Sequence, residues 1–181
     1  MHSNKKDPLL QQLNRCLISK DNVVYPPKIL SLLEKVTPNI HEIINISIND
    51  INKKYGDGLF IKIENNLDND SVFVFGQKEF LSKTLENLLS NPINCYTLKE
   101  LKIILKVNFD ENQNNVILTV IDNFKITTED IQSSFNKAGG LKIQQTFIKE
   151  WGGDMGGKIE NNNTCYYMIL QRSFRLNKEE F

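Results

Sequence analysis

The chain has 181 residues, 40% hydrophobic and 24% charged, with Lys+Arg and Asp+Glu both at 22 and a formal net charge of zero. That length buries the core of one globular domain with a short appendage, and balanced charge without a basic, aromatic-interleaved run argues against nucleic acid as a partner. Cys16, Cys95 and Cys165 are odd in number and at no metal-type spacing, as reduced thiols of a cytoplasmic protein would be, and no apolar run is long enough for a signal peptide or a membrane span.

DPLLQQLNRCLISK opens with Asp7 as N-cap and Pro8 at the first helical position, and Leu9, Leu10, Leu13, Cys16 and Leu17 follow helical spacing. Pro26 and Pro27 break this helix, and KILSLLEKV carries enough leucine for a second short one. Residues 1–35 are read as a helical appendage that docks on the domain or on a partner, ahead of a domain over 36–175 and a tail over 176–181. PNIHEIINISINDINKKYGDG fits a helix through Ile40, Ile44, Ile48 and Ile51, although Ile44, Ile46 and Ile48 also alternate as in a strand. Length favours the helix, which Tyr55-Gly56-Asp57-Gly58 ends. LFIKIEN then alternates as a half-buried strand, and SVFVFG is an apolar run of strand type.

A helix over 79–91 comes next, with Leu81, Leu85, Leu88 and Leu89 on its core side. LKIILKVNF places Leu101, Ile103, Leu105, Val107 and Phe109 on one face, and after the polar turn DENQNN the run VILTVID pairs with it as a hairpin. TTEDIQSSF begins as a helix capped by Thr127 or Thr128, with acids in the first turn. GLKIQQTFIKEWGG is a helix that offers Leu141, Phe147, Ile148 and Trp151 to the core and stops at Gly152. GKIENNNTCYYMILQRSF is a strand, an Asn-rich turn and a last strand. Helices interspersed with clear hairpins predict an α+β fold: a two-layer α/β sandwich whose mixed, mostly antiparallel sheet carries its helices on one face.

LENLLSNPINCYT holds Asn87, Asn91 and Asn94 at i, i+4, i+7, so all three share the face opposite the leucines. Such a row fits a solvated face. It also fits a polar ligand or a hydrated metal, because amides offer donors and acceptors without net charge. Pro92 removes the N–H that would bond to the Leu88 carbonyl, and costs about 3 kcal/mol inside a helix. The helix is therefore expected to end or kink there, moving Asn94 off the stripe.

These segments, in this order, resemble the catalytic ATP-binding domain of sensor histidine kinases, in the Bergerat-fold (GHKL) ATPase superfamily, from about Val36 to Phe174. LENLLSNPINCYT resembles the family's N-box, which implies that Asn87 and Asn91 face the phosphates and that Asn91 coordinates magnesium; Asn94 stands where a basic residue is usual. VIDNFKI resembles the first glycine box, which implies that Asp122 accepts a hydrogen bond from the adenine amino group. Its two glycines are replaced by Phe124 and Ile126, or one residue has been deleted, and Phe124 is expected either to floor the adenine pocket or to join the core. ITTEDIQSSF leads to an F-box phenylalanine at Phe135. AGGLKIQQTFIKEWGG resembles the second glycine box, with Gly140-Leu141 in register, Ala138 in place of the leading glycine, and the Gly139 and Gly140 amides as a generic anion site. Only 136–139 separate Phe135 from Gly140, where active relatives carry a long lid.

The resemblance implies ATP and Mg2+ as cofactors, with binding weak or lost because the glycines and the lid are missing. It leaves enzymatic activity open between two functions. The first is a non-catalytic signalling module that binds a protein partner, a helical dimerisation domain or a response regulator. The second is an active fragment that phosphorylates a histidine on a partner domain. In the chain itself only His2 and His41 could accept a phosphoryl group, and His41 borders an apolar helix face as an ordinary histidine does. Cys95 and Cys165 lack an activating neighbour, and Glu129-Asp130 is accounted for by a helix N-terminus.

Overall fold

The computed structural model describes residues 36–56, 59–67, 71–95, 101–123, 126–136 and 140–173. Helix α1 (Ile40–Tyr55) is capped by Asn39, whose side chain accepts from the His41 N–H at 2.8 Å, and it ends at Gly56. Burial of Ile40, Ile43, Ile44 and Ile51 on one stripe resolves the helix-or-strand ambiguity in favour of the helix. Strand β1 (Ile61–Asn65) follows, then β2 (Phe73–Val74). The run SVFVFG gives only these two strand residues: the Phe75 N–H still bonds to the Gln171 carbonyl, but Gly76 turns away at φ 136° into the next helix.

Helix α2 (Lys78–Cys95) buries Leu81, Leu85, Leu88 and Leu89 completely. It runs through Pro92 instead of ending there, which corrects the sequence expectation. Proline lies in the last turn, where one carbonyl alone loses its donor, and buried Pro92 and Ile93 hold that turn on the core. Strands β3 (Ile103–Phe109) and β4 (Asn115–Asp122) form the expected hairpin, with strict alternation along β4. Asp110 closes its turn by accepting from the backbone and side-chain N–H groups of Asn115 at 3.0 and 2.8 Å.

Helix α3 (Thr128–Asn136) settles the choice of cap on Thr127: the Asp130 N–H donates to Thr127 Oγ1 at 3.1 Å, and the Thr127 N–H donates back to the Asp130 carboxylate at 3.2 Å. Helix α4 (Gly140–Glu150) buries Ile148 and packs Leu141 and Trp151 against the core. Phe147, expected in the core, is instead 42% exposed, because it lies about 100° around the helix from Ile148. Strands β5 (Asp154–Glu160) and β6 (Asn163–Ser173) are joined by Asn161 and Asn162, both at positive φ as a primed two-residue turn requires.

The sheet runs β1-β3-β4-β6-β2, with β5 beside β2 on the outer side of β6. Among the described residues only β1 and β3 pair in parallel; the other pairings are antiparallel. Cross-strand partners Leu105, Val120 and Tyr166 share the face that the helices cover, so the architecture is the expected two-layer α+β sandwich. Residues 1–35, with the two helices expected there, and 174–181 lie outside the described residues.

Candidate functional site

Asp122 ends β4 in the register of Val116, Leu118 and Val120, which turns its side chain to the helix-covered face, where it is only 2% exposed. A carboxylate in that position stands out, since the alternation would otherwise place an apolar residue there. Its cross-strand partners are Ile103 on β3 and Thr164 on β6, and Thr164 is buried as well. The strand end therefore presents a hydroxyl and a carboxylate side by side under the helical layer.

Helix α2 packs on the same side of the sheet and brings its asparagine row with it. Asn87 and Asn91 are half-buried, away from the fully buried leucines, while Asn94 is exposed. Continuation of the helix through Pro92 keeps Asn94 on the row, where its Oδ1 accepts from the Tyr55 hydroxyl at 2.8 Å. Gly140 opens α4 with clear space around its α-carbon, and the half-buried Leu141 follows it. Asn136 ends α3 and Gly140 begins α4, so three residues, 137–139, connect the two helices. Phe124 and Gly139 lie outside the described residues.

Sequence reasoning passed over Glu86. It is buried on the flank of α2 that meets α1, and pairs with the exposed Lys83 one turn earlier. The available signal was an acid in the register of Leu89 and Ile93, positions that the core otherwise fills. Also unanticipated is a cavity of about 270 Å3 between α3, α4 and β5, where Gln132, Gln145 and Lys149 face Gly156, Gly157 and Tyr167. In its wall the Gln145 amide donates to the Met155 carbonyl at 2.6 Å and Lys149 lies 3.4 Å from Asp154.

Chemically, Asn87 and Asn91 offer neutral amide oxygens and N–H groups, Asp122 offers a buried carboxylate, and α4 opens at Gly140 with the first-turn N–H groups of a helix. No three His, Cys, Asp or Glu side chains among the described residues gather into a metal cage. The donor set at Asn91 fits magnesium that arrives with phosphate oxygens and water, the usual mode of that ion, rather than a protein-built site. Cys165 is buried, and burial pushes its thiol above the ordinary value, opposite to what a reactive nucleophile needs. Among the described residues no helix is long and apolar enough to cross a membrane.

No family model matches the chain, and none of the curated proteins matches it in sequence. Solved structures do match. The catalytic domain of histidine kinase ThkA superposes with a TM-score of 0.61 at 21% identity, over 75% of this chain and 94% of that one. ThkA in complex with the response regulator protein TrrA gives 0.63 at 17% identity, over 90% of this chain and 47% of that one. The ATP-binding domain of PrrB from Mycobacterium tuberculosis gives 0.58 at 14% identity, over 78% and 98%. At these identities the likeness establishes the fold, that of histidine kinase catalytic ATP-binding domains.

Proposed function

We propose that the chain is a histidine-kinase-like ATP-binding domain of two-component signalling that acts in the cytoplasm chiefly by binding a signalling protein, with its hold on nucleotide weak or lost. One observation carries this reading. The polar row Asn87 and Asn91 and the buried Asp122 lie on one side of a sheet with the histidine kinase topology, yet only three residues link α3 to α4. Phosphoryl transfer depends on positioning and charge stabilisation in a site shielded from water. Asn91 would hold magnesium, Asp122 the adenine amino group, and the Gly139-Gly140-Leu141 segment a phosphate, but the three residues between α3 and α4 are too few to enclose the triphosphate. Phe124 stands in the sequence where the family has a glycine, and is expected either to floor the adenine pocket or to join the core. The partner is a helical dimerisation domain or a response regulator; a relative of this fold, ThkA, is seen with the latter.

Calorimetry with Mg-ATP and with ADP tests the reading, and weak or absent binding is expected. Micromolar affinity that disappears in Asp122→Ala would overturn it in favour of the second reading, an active fragment that phosphorylates a histidine on a partner domain. That second reading draws on the burial of Asp122, an acceptor kept in place at some desolvation cost. Labelled ATP, incubated with this chain and a helical partner domain, would then leave an acid-labile label on the partner.

A further inference from the structure

We propose that β1 pairs antiparallel with β1 of a second copy of the chain, about a two-fold axis at Ile63. Among the described residues β1 is an edge of the sheet, bonded to β3 alone. The Asn66 N–H donates to the Val107 carbonyl at 2.9 Å, so the even-numbered residues turn their backbone groups towards β3. By the period of two, the N–H and C=O groups of Ile61, Ile63 and Asn65 point the other way, along the open edge.

The side chains on this edge suit a contact. Ile63 lies beside Leu105 on the helix-covered face; Leu105 is fully buried, yet Ile63 is 45% exposed, so the helical layer stops short of β1. Phe60, just ahead of the strand, is 77% exposed. Apolar residues along an unpaired edge are a template for another strand. The charges present do not repel an approaching copy, since Lys62 pairs with Glu64 at 2.7 Å and Lys106 lies 3.4 Å from the same carboxylate.

Register selects a second copy as the occupant. Centring on Ile63 sets that residue opposite itself and Ile61 opposite Asn65 of the second copy, so the outward backbone groups of one strand meet those of the other. On the helix-covered face the row Leu105, Ile63 runs on into the same row of the second copy. On the other face Lys62 falls opposite Glu64 of the second copy, and Glu64 opposite its Lys62, at the close positions where opposite charges attract. Lys106, Glu64 and Lys62 of the second copy then alternate in sign across the sheet. The neighbouring registers that the backbone phase allows centre on Lys62 or on Glu64 and set like charges face to face. IKIEN is thus self-complementary in the register that a closed two-fold dimer needs. The interface is small, so the dimer is of the weak, concentration-dependent kind. It goes beyond the nucleotide reading and does not depend on it.

Sedimentation of the full chain up to about 1 mM is expected to show a monomer–dimer equilibrium. Lys62→Glu and Glu64→Lys each turn the attractive cross-copy pairs repulsive, and each alone should raise the dissociation constant about tenfold or more, with far-UV circular dichroism unchanged. Mixed in equal amounts the two variants are complementary again, and the dimer should return as a heterodimer. Hydrogen exchange of the wild type gives a second reading: the amides of Ile61, Ile63 and Asn65 should gain protection as concentration rises, while those of β5 do not change. A chain that stays monomeric throughout, a dimer that both variants leave intact, or concentration-dependent protection confined to β5 would overturn the proposal.

Discussion

The hydroxyl of Tyr55, the last residue of α1, donates to Oδ1 of Asn94 in the last turn of α2 at 2.8 Å. The third asparagine of the row is thereby bonded to the neighbouring helix. Tyr55→Phe removes this exposed bond and is expected to cost about 0.5–1 kcal/mol by urea denaturation, without altering the helix content. An unchanged midpoint would mean that water replaces the bond at no cost.

Leu88 is fully buried between α2 and the sheet, so Leu88→Ala leaves a cavity that the surrounding strands cannot close. A loss of about 2–5 kcal/mol is expected, large enough to appear as a lower midpoint in any equilibrium unfolding experiment. Asn87→Ala, at a half-buried position on the opposite face, should shift the same midpoint by less than about 1 kcal/mol.

Gly157 on β5 underlies α3 closely: a Cβ there would meet Ile131 at 2.7 Å and the Tyr166 ring at 3.0 Å. Gly157→Val is expected to push α3 outward and destabilise by about 1–3 kcal/mol. Hydrogen exchange should rise in 128–136 more than in α1, which distinguishes local displacement of α3 from a general loss of stability.

Asn161 and Asn162 both hold positive φ in the β5–β6 turn. Asn162→Gly relieves the side-chain strain of that conformation and produces the preferred Asn-Gly pair, so a gain of a few tenths to about 1 kcal/mol is expected. A loss in thermal unfolding temperature would show that the Asn162 side chain contributes a contact of its own.

Asp110 is held below the ordinary carboxylate value, first by the Asn115 backbone N–H and also by the Asn115 side chain. A carboxyl with a depressed folded pKa contributes stability that is present above its unfolded pKa and is lost as pH falls through the folded one. Wild type should exceed Asp110→Asn in stability by a constant margin at neutral pH, and the margin should close below about pH 4. A margin that persists to strong acid would assign the turn's stability to shape and not to charge.

Local pattern was sufficient wherever one rule acted alone. Alternation and a polar turn gave the β3–β4 hairpin, and the leucine stripe opposite Asn87 and Asn91 gave the orientation of α2, whereas the start of α3 was left open between Thr127 and Thr128 until the Thr127–Asp130 bonds decided it. Asp122 was singled out through the resemblance of VIDNFKI to a glycine box; its burial follows from its register at the end of β4. Other features depend on contacts between residues far apart in sequence. The burial of Ile93 keeps α2 helical past Pro92, and the neighbouring Tyr55 then fixes Asn94; no local propensity contains either fact. Phe147 and Ile148 are adjacent and both apolar, so composition offers both to the core. Only the docking angle of α4 on the sheet decides that Ile148 is buried and Phe147 faces outward beside Phe80. Periodicity specifies that a helix has an apolar side about as wide as several candidate residues. Which of them the core accepts is set by the space left between packed layers, a property of the assembled fold and not of any one segment.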